Sequence, residues 1–255
     1  MRSPWPRPPK RISPDVVLRV VVRTFSEVCL TAGTLIVLFV AYVLLWTGVK
    51  ADLAMDGEMS ALRDRWAAAP AAAPAPAPQT TATQAPAPAA PAAPEPAGYP
   101  AGRAFAEMYI PRFGRGWNKP VLEGTDPELL KKGLGHYPGT ARLGATGNFS
   151  VAGHRRTYGD PFKDFPELRP GDEVILKDAS GWYTYTVRGG PVRTLPTEVG
   201  VVDPVPAKSP FATPGRYLTL TTCDPEWGHS HRLVVWAELT ATRTVGQGRP
   251  EGLAS

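Results

Sequence analysis

Residues 28–49, VCLTAGTLIVLFVAYVLLWTGV, run for 22 positions without a charged side chain. Hydrocarbon offers no partners to backbone N–H and C=O groups, so a run of this length is expected to cross its roughly 30 Å as a helix. The apolar core of a cleaved signal peptide is shorter, about 7 to 15 residues. No small-x-small cleavage signal follows this run, which therefore reads as an uncleaved signal anchor. Arg2, Arg7, Lys10, Arg11, Arg19 and Arg23 precede it, against Asp15 and Glu27. The positive-inside rule then places 1–27 in the cytoplasm as a basic arm, and everything after Lys50 outside the cell.

The same arm explains the charge balance. The formal net charge is +5, and residues 1–50 hold seven basic against two acidic side chains, so 51–255 carry none of the excess. A basic tail beside an apolar run marks a membrane contact. The exported part has no electrostatic footprint for nucleic acid, and no nucleic-acid partner is expected. A short juxtamembrane helix is expected over 51–66, ADLAMDGEMSALRDRW, although Gly57 works against it. Residues 67–98 are dominated by alanine and proline. Such sequence buries little and extends as polyproline, at about 3.1 Å per residue reaching on the order of 90 Å. It reads as a stalk, making 50–98 a juxtamembrane segment and linker, 99–246 a globular domain and 247–255 a polar tail.

Within the globular part, short β-type runs recur between Gly, Pro and Asp: AEMYIPR, GNFSVAGH, DEVILKD, GWYTYTVRG, GRYLTLTTC and HRLVVWAELT. TDPELLKKGLGH reads as a helix capped at Thr125 or Asp126, with Pro127 in its first turn and Gly133 ending it. PFKDFPEL reads as another short helical turn. Six or more short strands in about 150 residues favour one β-barrel or sandwich.

The chain has two cysteines. Cys29 falls inside the apolar run and reads as a lining residue. Cys223 is alone in the exported part, where cysteines are ordinarily paired, so three readings stand: a buried strand-end residue, a nucleophile, or a metal ligand. A nucleophile needs a base or cation that favours thiolate, donors for an oxyanion, and a firm support. GRYLTLTTC ends on the thiol, and alternation puts Thr219, Thr221 and Cys223 on one face. If HRLVVWAEL pairs with that strand, Arg232 lies close to Cys223 and can hydrogen-bond a developing oxyanion. His154 ends a different apolar run and is the candidate base or acid. Cys223, His229 and His231 also spell C-x5-H-x-H, but a structural zinc site wants four ligands and no second cysteine is at hand. His229 then reads as loop decoration and His136 as packing or loop polarity.

Together these pieces resemble the sortases, membrane-anchored cysteine transpeptidases that attach proteins to Gram-positive cell walls. The TLxTC signature is matched by Thr219, Leu220, Thr221, Thr222 and Cys223; the Arg of the next strand by Arg232; the AGHR-type segment by residues 152–155. HYPGTARLG and GNFSVAGHRRTYGDPF look like the class E branch of high-GC actinobacteria. The resemblance implies an eight-stranded β-barrel with short helices, behind one transmembrane helix and the linker. It implies Cys223, His154 and Arg232 as catalytic residues, with Tyr137, Thr221 and Thr222 binding substrate. It also implies LAxTG- or LPxTG-bearing secreted proteins as substrates, a peptidoglycan precursor amine as acceptor, and no metal or other cofactor. A pilin-polymerising sortase and an inactive wall-binding β-domain are the alternatives. Two local features depart from the simplest site: Asp224 follows the nucleophile, where an unscreened carboxylate would disfavour thiolate, and Arg155 and Arg156 follow His154, where inward-facing charge would oppose imidazolium.

Overall fold

The computed structural model describes residues 14–68 and 98–253. The start of the basic arm, the Ala-Pro stretch expected as a stalk over 69–97, and the last two residues lie outside the described residues. The chain divides into two compact units, Met1–Trp46 and Thr47–Ser255. Helix α1 runs Pro14–Ala68, and the first unit consists, among its described residues, of the part of that helix up to Trp46. Asp15–Tyr42, with mean hydropathy 1.9, is long and apolar enough by length and composition to cross a membrane. It overlaps the expected span and starts earlier. Arg23 and Glu27, one turn apart, pair at 2.8 Å, so the charges ahead of residue 28 do not interrupt the helix.

The part of α1 in the second unit is amphipathic. Ala51, Met55, Met59 and Leu62 are all at least 95% buried, at the spacing that lines one face of a helix. Burial of each large side chain contributes roughly 1.5–3 kcal/mol, more than the ~1 kcal/mol that Gly57 costs on the exposed face. Leu62 and Trp66 pack on Ala104 and Leu122. Arg63 Nε donates to Glu107 Oε1 at 2.6 Å, and Arg65 donates to the Ala104 carbonyl at 2.7 Å. Glu107 is 1% exposed, so Arg63 supplies the charge that makes its burial tolerable.

The remainder of this unit is one closed sheet. Its strands are β1 (Ala104–Tyr109), β2 (Asn118–Glu123), β3 (Leu134–His136), β4 (Gly147–Ala152), β5 (Glu173–Lys177), β6 (Gly181–Val187), β7 (Val192–Thr194), β8 (Arg216–Asp224) and β9 (His231–Thr244). Eight of them form a ring in the order β6-β5-β1-β2-β3-β4-β8-β9, and β9 pairs back to β6 to close it. This is the eight-stranded barrel that the resemblance implies. Closure leaves no long edge for another chain to extend. β7 lies outside the ring, paired with the first part of β9. Alternation turns Phe149 and Val151 of β4, Leu218 and Leu220 of β8, and Val235 and Ala237 of β9 into a common core.

The six expected strands are present, and three more appear. The expected helix is a single turn, α2 (Pro127–Leu130), followed by β3. The reason lies in Gly135: a Cβ there would stand 2.4 Å from the Gly124 carbonyl oxygen, so only glycine lets this segment come so close to the chain leaving β2. β2 holds Pro120 because at that position it has β1 on one side only; β3 pairs with Val121, Leu122 and Glu123. The expected turn in PFKDFPEL is a short 3-10 helix, Phe165–Glu167.

Candidate functional site

β4 and β8 run parallel in a fixed register, from Gly147 opposite Arg216 to Ala152 opposite Thr221, an offset of 69 residues throughout. The register continues past the end of β4. Gly153 N–H donates to the Thr221 carbonyl at 3.1 Å, and Thr222 Oγ1 donates to the Gly153 carbonyl at 2.8 Å. Carried two residues further, the same offset brings His154 beside Cys223 and Arg155 beside Asp224. His154 and Cys223 line one pocket of about 210 Å³, whose rim includes Arg156, Glu226, Trp227 and His229.

The other neighbour of β8 supplies the third residue. β9 is antiparallel to β8 with Arg232 opposite Cys223, and β7 adds Thr194 opposite Arg232. Residues directly opposite share a face, so Thr194, Arg232 and Cys223 stand abreast across three strands. Arg232 Nη1 donates to the carbonyls of His229 and His231, both at 2.9 Å, which fixes the guanidinium beside the loop that follows the thiol. Tyr137 and Thr221 share a hydrogen bond of 2.9 Å, and Thr221 is two residues from Cys223 on the same face. Thr222 points the opposite way; it is 2% exposed and its hydroxyl is committed to the Gly153 carbonyl. The structure thus gathers Cys223, His154, Arg232, Tyr137 and Thr221, and turns Thr222 away from them, toward the junction with the segment that carries His154.

Burial, and after it the positive charge of Lys131, hold the His154 imidazole below the usual histidine range. At neutral pH the ring is therefore mostly neutral. Its Nε2 is buried without a hydrogen-bond partner, and the Tyr158 ring lies 5.1 Å away, centroid to centroid. The flanking arginines do not supply the opposing charge. Arg155 Nη1 meets Asp224 Oδ1 at 2.5 Å, and Arg193 Nε meets Asp224 Oδ2 at 2.7 Å, so the carboxylate is held between two guanidinium groups. Alternation turns it to the face away from Cys223. Arg156 pairs with Glu226 and stacks over the Trp227 ring at 5.2 Å.

His136 is not at the site. It is 2% exposed, bonded to Glu123 at 2.6 Å and stacked on Phe149, which makes it a core residue. His231 Nδ1 contacts the Ser230 hydroxyl at 3.0 Å, and among the described residues no three His, Cys, Asp or Glu side chains gather as metal ligands do. Sequence reasoning missed Lys131, which arrives from the end of α2, Tyr158, which lies in the loop directly after His154, and the rim residue Trp227. Its signal was available: a tryptophan in a polar loop directly after the thiol, here 68% exposed.

Comparison with known proteins gives a consistent picture. The family model described as Sortase domain matches residues 108–240. Sortase SrtE1 of Streptomyces coelicolor is 34% identical over 240 residues, covering 91% of this chain; the chain spans only 61% of that relative's length. Sortase SrtE2 of the same organism is 30% identical, covering 94% of this chain and 90% of the relative. Among solved structures, sortase E from Streptomyces avermitilis is 64% identical and superposes with a TM-score of 0.58, covering 61% of this chain and 99% of that one. Sortase E1 from Streptomyces coelicolor with a tripeptide in the active site is 35% identical, with a TM-score of 0.57 and the same coverage.

Proposed function

The chain belongs to the sortase family, and from that premise we propose that it is a transpeptidase acting on LAxTG-like sorting signals at the surface of a cell. The observation that carries this reading is the shared register of β4 and β8, which puts His154 and Cys223 in one pocket with Arg232 abreast of the thiol. In the resting pair His154 is neutral, so it accepts the thiol proton of Cys223 and leaves a thiolate beside imidazolium. The thiolate attacks the carbonyl of the motif threonine. Arg232 hydrogen-bonds the oxyanion that forms, in the strip of site where charge develops only in the transition state. Imidazolium then protonates the departing glycine amine, the Thr–Gly bond breaks, and a thioester remains on Cys223. An amino group of a peptidoglycan precursor attacks the thioester, gives its proton to His154 and takes the acyl group, returning the thiol to its starting state.

Tyr137 and Thr221 form the wall beside the second motif position, where a phenol crowds proline more than alanine. Thr222 serves the reaction indirectly, by fastening β8 to the segment that carries His154. Residues 28–49 hold the enzyme in the membrane, with the basic arm in the cytoplasm and the barrel outside. The peptide in the active site of the related sortase E1 supports a peptide-binding groove here. Mass spectrometry after mixing the full chain with LAxTG and LPxTG peptides tests the reading. An acyl adduct is expected on Cys223, larger with LAxTG, and absent in Cys223→Ala. Equal processing of peptide by Cys223→Ala overturns it.

A further inference from the structure

The loop that follows His154 has an unusual backbone. Thr157, Tyr158, Gly159 and Asp160 all have positive φ, at 71°, 52°, 78° and 47°. Left-handed backbone is unfavourable for side chains other than glycine, and a run of it persists only where the surroundings over-determine it. Inside, the loop is tied by Phe162 N–H to the His154 carbonyl at 3.0 Å and by Trp117 Nε1 to the Pro161 carbonyl at 3.1 Å. Outside, it meets α1. A Cβ on Gly159 would stand 2.8 Å from Asp52 Oδ1 and 3.1 Å from Met55 Cε. The ends of two helix side chains therefore fill the space beside Gly159, while the preceding residue, Tyr158, places its ring against His154.

We infer that residues 51–66 of α1 are a brace for the acid–base residue: the helix face holds Gly159, Gly159 holds Tyr158, and Tyr158 holds the imidazole in reach of Cys223. Met55 and Asp52 are positioning residues in this scheme, since they act on His154 through the loop and touch no substrate. The helix is fastened for that purpose at its far end as well, by Leu62 and Trp66 in the Ala104 and Leu122 cluster and by Arg63 on Glu107. Its docking contacts lie within the catalytic unit. The inference rests on the reading that His154 takes part in the reaction.

The test uses the full chain in detergent micelles. Met55→Asp with Met59→Asp puts two carboxylates on the buried face, and amide hydrogen exchange over 51–66 reports whether the helix has come away. With the helix released, exchange over 155–161 is expected to rise while β4 and β8 stay protected. Turnover of an LAxTG peptide is expected to fall about tenfold in kcat, as a misplaced catalytic group does, with KM within about twofold of the parent. Released helix with unchanged exchange over 155–161 and unchanged kcat overturns the inference. If the double variant loses protection throughout the barrel, Met55→Ala is read in the same way, with smaller effects in the same direction expected. His154→Ala in the parent separates the two ideas. If that variant remains active, the assignment of His154 fails; if it is inactive and exchange over 155–161 ignores the helix, the brace fails.

Discussion

Asp224→Ala should destabilise the catalytic unit by about 2 kcal/mol, because it strands a guanidinium that has little access to water. The two side chains of the Arg155–Asp224 pair are 12% and 16% exposed. Exposed ion pairs contribute about 0.2–1 kcal/mol, and removing one partner of a fully buried pair costs about 3–5 kcal/mol. This pair lies between those limits. Arg193, at 53% exposure, adds only a few tenths of a kcal/mol. Arg155 has no reserve partner for its Nε, which is already buried and unbonded. For a domain of this size about 2 kcal/mol lowers Tm by roughly 4–8 °C. The assay is a thermal or urea unfolding cycle with Asp224→Ala, Arg155→Ala and the double variant. Asp224→Ala is expected to lose about 2 kcal/mol, Arg155→Ala less because Asp224 keeps Arg193, and the double less than Asp224→Ala alone, since it leaves no buried charge stranded. The pair also joins the residue after His154 to the residue after Cys223, so both single variants should lower kcat. Additive losses, or a Tm within about 1 °C of the parent, would refute the argument. So would faster alkylation of Cys223 in Asp224→Ala with stability unchanged, the result expected of a carboxylate that faces the thiol.

Lys131→Gln removes the charge that opposes protonation of His154, so the imidazole pKa should rise, as read from its NMR titration; burial, the larger cause, remains, and the value stays below the usual range. The sign for stability follows from the same depression. Between the lowered folded pKa and about 6.5 the unfolded chain binds more protons at this site, so stability is lost as pH falls through that window. A His154→Gln variant should lack this component of the pH dependence of urea unfolding. Tyr137→Phe breaks the hydrogen bond to Thr221, worth about 1 kcal/mol, and should narrow the preference for LAxTG over LPxTG by several-fold in kcat/KM; an unchanged ratio argues that the phenol oxygen has no part in selection.

The strands legible in the chain were those whose burial pattern is local. β4, β5, β6, β8 and β9 each show apolar runs or alternation long enough to stand out. β3 and β7 span three residues apiece and exist because of their neighbours. β2 was hidden by Pro120, which is harmless only because β3 starts one residue later. Cys223 and Arg232 were visible as a pair because they lie on successive strands. His154 was a candidate from its place at the end of an apolar run, but only the family resemblance tied it to Cys223, since parallel pairing is a long-range choice that no periodicity records. The partners of Asp224 were out of reach for the same reason: one comes from beyond β4 and the other from β7. The apolar stripe over 51–66 was present in the sequence, but a stripe does not say what covers it, and the face of the barrel that receives it is assembled from β1, β2 and the loop after His154.

The offset of 69 between His154 and Cys223 is a count of residues, and the geometry does not depend on it. What holds the two side chains together is the β4–β8 ladder, in which a slip of one residue would turn His154 to the wrong face. Everything between them, including β5, β6, β7 and the long segment 195–215, leaves and returns to that ladder. Doubling the length of such a segment adds only about 0.6 kcal/mol of closure entropy. Insertions and deletions there can reshape the approaches to the thiol, lengthening a wall or opening a groove, without moving the reacting pair. Within the barrel, reactivity is set by the ladder, and recognition has room to vary in the chain that loops away from it.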